Sequence, residues 1–128
     1  MLLVRFTDFT NKGEIEDPQF KYYVNTKGSG MPGAYVEQIV IGKNHDVWVA
    51  TGAGLGRFTP ALDAGGDVVW NENGTWESDA FKSGKVEAEG GLLTDWLKSL
   101  AYDHATDTLW IGTSGGGVTR LRVSLFDQ

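Results

Sequence analysis

The stretch that decides the fold is Leu109 to Gly117, which reads Leu-Trp-Ile-Gly-Thr-Ser-Gly-Gly-Gly. An earlier stretch, Val47 to Leu55, has the same order of residue types: Val-Trp-Val-Ala-Thr-Gly-Ala-Gly-Leu. In both, a tryptophan lies between two aliphatic residues, a threonine follows, and glycines come next. Aliphatic and aromatic residues of this kind predict a short strand, and the glycines predict a sharp reversal that uses positive φ angles. The chain therefore contains an internal repeat.

The repeat extends on both sides of these stretches. The segment Gly30 to Ile39 precedes the first copy as Gly91 to Leu100 precedes the second, and each copy continues into a strand that contains an arginine. The match spans about thirty residues. The two central tryptophans lie 62 positions apart, which exceeds the repeat of roughly 40 to 50 residues in common propellers. An insertion is predicted between the copies, at Ala61 to Gly66 or at Ser83 to Gly91.

A third, partial copy is expected at the beginning, because Leu3 to Thr7 resembles Leu55 to Thr59. The strands of one unit are called a, b, c and d. The second d strand, Val68 to Glu77, is predicted to contain a turn at Asn73-Gly74. Short strands separated by Asn, Asp and Gly turns fit an antiparallel meander. In chain order, the predicted strands are c Leu2 to Thr10, d Phe20 to Asn25, a Tyr35 to Ile41, b Asp46 to Ala50, c Leu55 to Thr59, d Val68 to Glu77, a Trp96 to Tyr102, b Thr108 to Gly112 and c Val118 to Leu125.

Two alternatives remain open at this stage. The segment Leu92 to Leu100 has apolar residues at helical spacing and is also compatible with a helical turn; only the repeat argues against it. The segment Leu2 to Thr10 is also compatible with a d strand that pairs with Val118 to Leu125, either within the chain or in a neighbouring copy.

Composition favours the same class of fold and excludes several functions. Among 128 residues the chain has 18 Gly, 5 Trp and 3 Pro, which favours many tight turns between aromatic-rich strands. A net charge of -6 argues against nucleic-acid binding. No stretch approaches the roughly 20 apolar residues of a membrane span, so no membrane insertion is expected. The absence of cysteine excludes disulfides and thiol chemistry but identifies no compartment.

The repeated stretches resemble the two-component regulator propeller repeat, which has an apolar-Trp-apolar-Gly-Thr strand, a glycine-rich link and an arginine-containing strand. Leu109 to Gly117 matches closely, whereas the first copy departs from the pattern at Ala50 and has fewer glycines. The resemblance implies β-propeller blades and a sensory module, often periplasmic, that in some members binds carbohydrate. The chain is expected to be periplasmic if it is excised from a sensor protein and cytoplasmic if it is complete as given.

The predicted fold is thus all-β, with about two antiparallel propeller blades per chain. We expect a single domain made of a partial blade at 1–26, a blade at 30–83 and a partial blade at 91–128. Closed propellers have about four to eight blades, so the ring would close only by oligomerisation or as a fragment of a longer propeller. Self-association into a trimer or tetramer is expected, because open blade faces would otherwise meet water. A stable monomer would instead favour a β-sandwich or an α+β domain whose large aromatic residues share one core.

The candidate ligand-binding residues lie mainly in the loops. Tyr35 and Trp96 occupy matching positions at the entry to strand a, where exposed rings would stack on a carbohydrate or another small-molecule ligand. Arg57 and Arg120 recur in strand c, where they either bridge blades to carboxylates or line a channel that attracts an anion. The remaining candidates are the carboxylates of the loop before the second strand a, which are Glu87, Glu89 and Asp95. The residues expected to be structural are Trp48, Trp110, Thr51 and Thr113.

No catalytic residue, metal site or cofactor is predicted. His45 and His104 each lie beside an aspartate in the a to b turn, but two turn histidines on separate blades would lie well apart. The leading hypothesis is a non-enzymatic ligand-binding or sensory module that uses the d to a and b to c loops. The alternatives are a propeller-type lyase or glycosidase, for which a carboxylate pair would serve, and a structural assembly unit.

Overall fold

The computed structural model describes residues 2–4, 20–25, 29–69, 72–78, 81, 92 and 94–127. The described residues form short strands with almost no helix, which confirms the all-β prediction. A 3₁₀ turn spans Lys43–His45, and one helical turn, α1, spans Val123–Phe126. The strands are β1 (Leu2–Val4), β2 (Phe20–Tyr22), β3 (Val36–Ile41), β4 (Val47–Thr51), β5 (Gly54–Thr59), β6 (Thr75–Glu77), β7 (Leu97–Asp103), β8 (Thr108–Thr113) and β9 (Val118–Arg122).

The strands form antiparallel meanders in which each strand pairs with the next one along the chain. The first sheet has the order β3-β4-β5-β6, and the second has the order β7-β8-β9. Strands β1 and β2 pair with each other. Within each of the two larger sheets consecutive strands are neighbours, so the topology requires no crossover connection. The connection from β5 to β6 is longer than the others and spans residues 60–74.

The sequence repeat is also a repeat of backbone geometry. The pairing of β3 with β4 shifts register between Val36 and Gln38, and that of β7 with β8 shifts between Leu97 and Ser99. A bulge inserted at the same place in both sheets bends both first strands alike. Strands β3, β4 and β5 therefore correspond to β7, β8 and β9.

The turns after the tryptophan strands are closed by the two repeated threonines. The Thr51 hydroxyl donates to the carbonyl of Gly54 at 2.8 Å, and the Thr113 hydroxyl donates to the carbonyl of Gly117 at 2.7 Å. Each hydroxyl also accepts a backbone N–H from within its turn. Gly54 and Gly117 have φ angles of 136° and 75°, which only glycine adopts without strain. Both threonines thus make equivalent hydrogen bonds within their turns.

The main core lies between the two larger sheets. Strand β7 packs against β3 and β4, and the Trp48 ring meets Phe81 edge-on, with 5.4 Å between the ring centres. Close packing of such apolar side chains is the main source of stability in a small domain. The buried residues of this cluster are Trp48, Ala50, Leu55, Phe81, Leu92, Leu97, Leu100, Leu109, Ile111 and Val123.

A smaller aromatic cluster covers the opposite face of the first sheet. The Tyr23 ring lies 4.8 Å from that of Phe58, and the Phe58 ring lies 5.2 Å from that of Trp76. Pro32 packs over Gly56, where a Cβ atom would come within 2.8 Å of the proline ring. The segment before β3 is therefore held against the half of this face that β5 and β6 form.

Three strand predictions need correction. The d strand predicted over Val68 to Glu77 is limited to β6, because the Asp63 carboxylate closes a turn in which Val68 bridges back to Leu62. The last c strand ends at Arg122 and not at Leu125: the Val123 N–H bonds the carbonyl of Asp107 and the chain turns into α1. The d strand predicted over Phe20 to Asn25 ends as a strand at Tyr22.

The structure resolves one of the two open alternatives and tests the other only within the chain. Residues 97–100 belong to β7 and are not helical, as the repeat argument predicted. Within the chain, the described part of Leu2 to Thr10 is β1, which pairs with β2 and not with the last strand. Its pairing with the last strand of a neighbouring copy stays a prediction. Among the described residues no helix is long and apolar enough to span a membrane.

We predict that Val49→Ala lowers the free energy of unfolding by about 2 kcal/mol, since it removes two fully buried methyl groups at about 0.8 kcal/mol each and leaves a cavity. Val49 is fully buried in β4, whereas Val24 is mostly exposed. The matched control Val24→Ala is therefore expected to change the free energy by less than about 0.5 kcal/mol. Urea denaturation followed by tryptophan fluorescence measures both, and equal losses would contradict the burial of Val49.

Candidate functional site

Two strongly exposed aromatic residues lie on one groove at an end of the two sheets. Tyr35 precedes β3 and is 83% exposed, and Trp96 precedes β7 and is 56% exposed. Both line a groove of about 380 Å³. The structure thus brings together the two aromatic residues that the repeat paired, although they are far apart in sequence.

The backbone holds both rings in equivalent places. The Gly52 N–H donates to the carbonyl of Tyr35 at 3.2 Å, and the Ser114 N–H donates to the carbonyl of Trp96 at 2.9 Å. Each bond ties the residue before the first strand of a sheet to the residue after the second strand. The backbone that carries the two side chains is therefore fixed by a hydrogen bond at equivalent places in the two sheets.

Small residues leave the groove open between the rings. Gly33, Ala34, Gly52 and Ala53 form part of its lining. Gly33 is required by close packing, because a Cβ atom there would lie 2.7 Å from the hydroxyl oxygen of Thr51. The floor thus presents backbone and small side chains, and the two loop types predicted to form the recognition face both contribute to it.

An ion pair adds charge to the same groove. Glu37, which lines the groove, lies 3.4 Å from the ammonium group of Lys98. The Lys98 ammonium also lies 5.7 Å from the centre of the Trp96 ring, within the range of a cation–π contact. Both side chains are substantially exposed, so the pair contributes little to stability. Its carboxylate and ammonium remain accessible as hydrogen-bonding groups beside the rings.

Sequence reasoning missed Glu37 and Lys98. Each follows its exposed aromatic residue by two positions, so the two occupy equivalent places in the repeat with opposite charges. An alignment of the two copies contains this signal. It becomes interpretable only once the sheets pack side by side and bring the two positions together.

Arg57 lies away from the groove, in an ionic network between the sheets. Its guanidinium donates to Asp46 at 2.7 Å and to both carboxylate oxygens of Asp127 at 2.6 and 3.0 Å. It also lies 5.0 Å from the centre of the Trp48 ring. The hydrogen bond from Arg57 holds the pKa of Asp127 below its ordinary value. Arg57 therefore ties β5 to the helical turn that follows β9, and it does not line the groove.

Arg120 has the corresponding position in the second sheet but a different environment. It lies 5.7 Å from the centre of the Trp110 ring, and both line an open depression of about 530 Å³ together with Arg122 and Leu125. Within the described part of the chain, Arg120 and Arg122 form no ion pair. Trp110, predicted to be structural like the buried Trp48, is 43% exposed.

Of the three predicted carboxylates, Asp95 alone lies in the described part of the chain. Asp95 is half-buried near the turn between β4 and β5, 3.8 Å from the place of a Cβ atom at Gly54. Glu87 and Glu89 lie outside the described residues. The His104 ring packs edge-on against Tyr102. Burial, together with a hydrogen bond to Asp107, raises the pKa of Tyr102 to about 12. No group of three or more potential metal-ligating side chains occurs in the described ranges.

Comparison of the chain with protein-family models, with curated proteins and with solved structures finds no match.

We predict that Asp127→Asn lowers the melting temperature at pH 7, and that this difference disappears in acid. The folded-state pKa of Asp127 is depressed, so its stabilising contribution is present above the ordinary carboxyl pKa of about 3.9 and is lost as the pH falls through the folded value. The carboxylate is 44% exposed, and solvent screening limits the effect to below about 1 kcal/mol.

Thermal unfolding of both proteins between pH 7 and pH 2 measures this dependence. Asp67→Asn is the matched control, because the exposed Asp67 side chain forms no ion pair within the described residues. A difference between wild type and Asp127→Asn that persists unchanged at pH 2 would contradict the assigned role of the ion pair.

Proposed function

We propose that the chain is a non-enzymatic ligand-binding module and that its ligand is a carbohydrate held between Tyr35 and Trp96. One observation carries this proposal: the two repeats present highly exposed aromatic residues at equivalent positions, and both line one groove. Large aromatic side chains are costly to expose to water without a binding partner. Their joint exposure on a concave surface is typical of a recognition site.

The chemistry of the groove matches a sugar better than a purely apolar ligand. A sugar ring has an apolar C–H face, which packs on an aromatic ring, and a rim of hydroxyl groups, which require donors and acceptors. The Glu37 carboxylate is an acceptor, the Lys98 ammonium is a donor, and both lie beside Trp96. Two rings on one groove would contact successive residues of an oligosaccharide.

The proposed architecture is that of β-propeller blades. The first sheet would be a complete blade, the second a partial blade, and β1 with β2 part of a preceding one. The antiparallel meanders, the equivalent bulges and the repeated threonine turns support this assignment. So does the resemblance of the tryptophan strands to the two-component regulator propeller repeat. On this basis the module would serve in sensing, within a ring closed by several chains or by further blades.

Binding is favoured over catalysis by the content of the groove. Glycoside hydrolysis commonly needs two carboxyl groups about 5 to 9.5 Å apart. Among the described residues that line the groove, Glu37 is the sole carboxylate, and Lys98 neutralises it. This arrangement supports hydrogen bonding to hydroxyl groups, and the described lining of the groove provides no second acid for hydrolysis.

We expect that a glycan array identifies an oligosaccharide ligand for the wild-type protein and that Tyr35→Ala and Trp96→Ala each weaken its binding about tenfold or more. Loss of one stacking contact is worth about 1 kcal/mol beyond the lost contact area. Isothermal titration calorimetry measures the affinity. Trp110→Ala is the matched control, because Trp110 is also exposed but does not line this groove.

Two outcomes would overturn the proposal. The first is a wild-type protein that binds no glycan on the array at protein concentrations up to about 100 µM. The second is a bound glycan whose affinity changes equally in Trp96→Ala and in Trp110→Ala. Turnover of a bound glycan that is lost when Glu87, Glu89 and Asp95 are replaced together would instead establish the enzyme alternative.

A further inference from the structure

One face of the second sheet is exposed although its residue types resemble those of the buried face of the first sheet. We call it the outer face and define it by Ala101, Trp110, Val118 and Arg120. The pairing registers of β7, β8 and β9 place these four side chains on the same side of the sheet. Val118 is 68% exposed, and Ala101 and Arg120 are exposed as well. A contiguous surface of this kind, with a tryptophan at its centre, is typical of an association site.

The corresponding face of the first sheet shows what covers such a surface. In the repeat, the outer face corresponds to Val40, Trp48, Leu55 and Arg57, which share one side of the first sheet. Trp48 and Leu55 are buried there, and Val40 is partly buried. They are covered by the second sheet of the same chain, chiefly by Leu100 and its neighbours. An arginine lies over a tryptophan ring on both faces.

The surface able to cover the outer face is also present on the chain. In the contact between the sheets, β7 presents Leu100 and Tyr102 to the first sheet. Their equivalents on β3 are Ile39 and Ile41, which are 41% and 53% exposed. They lie on the side of β3 that faces away from the second sheet. The segment before β3 covers the β5 and β6 half of this side and leaves the β3 half open.

The charged residues at the edge of the contact between the two sheets are also complementary. Glu37 of the first sheet pairs with Lys98 of the second, and these two residues occupy equivalent positions of the repeat. A second copy placed against the outer face in the same relation would bring its Glu37 to the Lys98 of the first copy. Opposite charges at equivalent positions thus alternate along a head-to-tail assembly, which favours this pairing over a two-fold one.

Carboxylates able to pair with Arg120 are also present on the chain. Within a chain, Arg57 is bound by Asp127, which follows the last strand of the second sheet by a short turn. The equivalent position in the first sheet is the turn after β5, which carries the exposed residues Asp63 and Asp67. A second copy in the same relation would place this acidic turn near Arg120, which forms no ion pair within the described residues, although Asp103 lines the same depression.

We propose that the outer face of one chain binds the exposed side of β3 in a second copy of the same chain, repeating between molecules the contact between the two sheets. The interface is heterologous, because it joins two different surfaces, and it closes into a ring when the rotation between copies allows it. With about two blades in each chain, three or four copies would supply six or eight blades, within the range of closed propellers. This inference rests on the proposed blade architecture.

Size-exclusion chromatography with light scattering tests the proposal on the 128-residue chain. We expect the wild type to have the mass of three or four chains. Trp110→Arg blocks the outer face and Ile41→Arg blocks the β3 side, so each variant alone is expected to be monomeric. An equimolar mixture of the two variants retains one intact interface and is expected to form a heterodimer and nothing larger.

The mixture separates this mode of association from others. A two-fold interface through the outer face would leave Ile41→Arg oligomeric, and that result would overturn the proposal. So would a wild type that is monomeric at about 100 µM, or a mixture that fails to pair while circular dichroism shows both variants folded. Ala105→Arg is the matched control, because it adds the same charge in the exposed turn between β7 and β8; it is expected to keep the wild-type mass.

This test is independent of the carbohydrate site. The groove between Tyr35 and Trp96 lies within one chain, so a monomeric variant that still binds the glycan would retain the proposed function. Failure of self-association with intact glycan binding therefore counts against the interface alone. Loss of glycan binding in a ring that still assembles counts against the groove alone.

Discussion

Most of the structure depends on the burial of one tryptophan between two antiparallel sheets. Trp48 is almost completely buried, with Phe81 against its edge and the Arg57 guanidinium near its face. Neither sheet has a core of its own, since a single antiparallel meander has nothing to cover its apolar face. Stacking the sheets solves this problem for one face of each and leaves the other two faces to be covered differently.

Arg57 has two roles at the contact between the sheets. Its guanidinium lies near the indole ring and at the same time donates to Asp46 and Asp127, which satisfies a partly buried charge. The same residue types on the second sheet, Trp110 and Arg120, lie on an exposed face. One motif thus has two environments in one chain, and the difference between them underlies the inferred interface.

The candidate groove is a consequence of the same stacking. The residue before the first strand of each sheet is tied to the turn after the second strand. When two such sheets pack side by side, these residues and turns align at one end. The exposed rings of Tyr35 and Trp96 therefore meet on one groove with the ion pair of Glu37 and Lys98. The shape of the groove therefore depends on the packing of the sheets, because the same strand ends form both.

Local patterns in the sequence were sufficient for the class of fold and for most strands. Alternating aliphatic residues around Trp48 and Trp110 and the glycine turns after Thr51 and Thr113 depend on backbone preferences within a few residues, so they can be read along the chain. The equivalence of Tyr35 and Trp96 was visible for the same reason. The errors came at the ends of the d and c strands, where Asp63 closes a local turn and Val123 turns inward to a buried position.

Contacts between distant residues were decided only by the tertiary structure. Lys98 meets Glu37 across 61 positions, and Arg57 meets Asp127 across 70; nothing in the local sequence indicates that these residues become neighbours. The different exposure of Trp48 and Trp110 has the same origin, since their local sequences are nearly alike. A residue's burial depends on which surface packs over it, and that is set by the arrangement of whole sheets and not by the strand in which the residue lies.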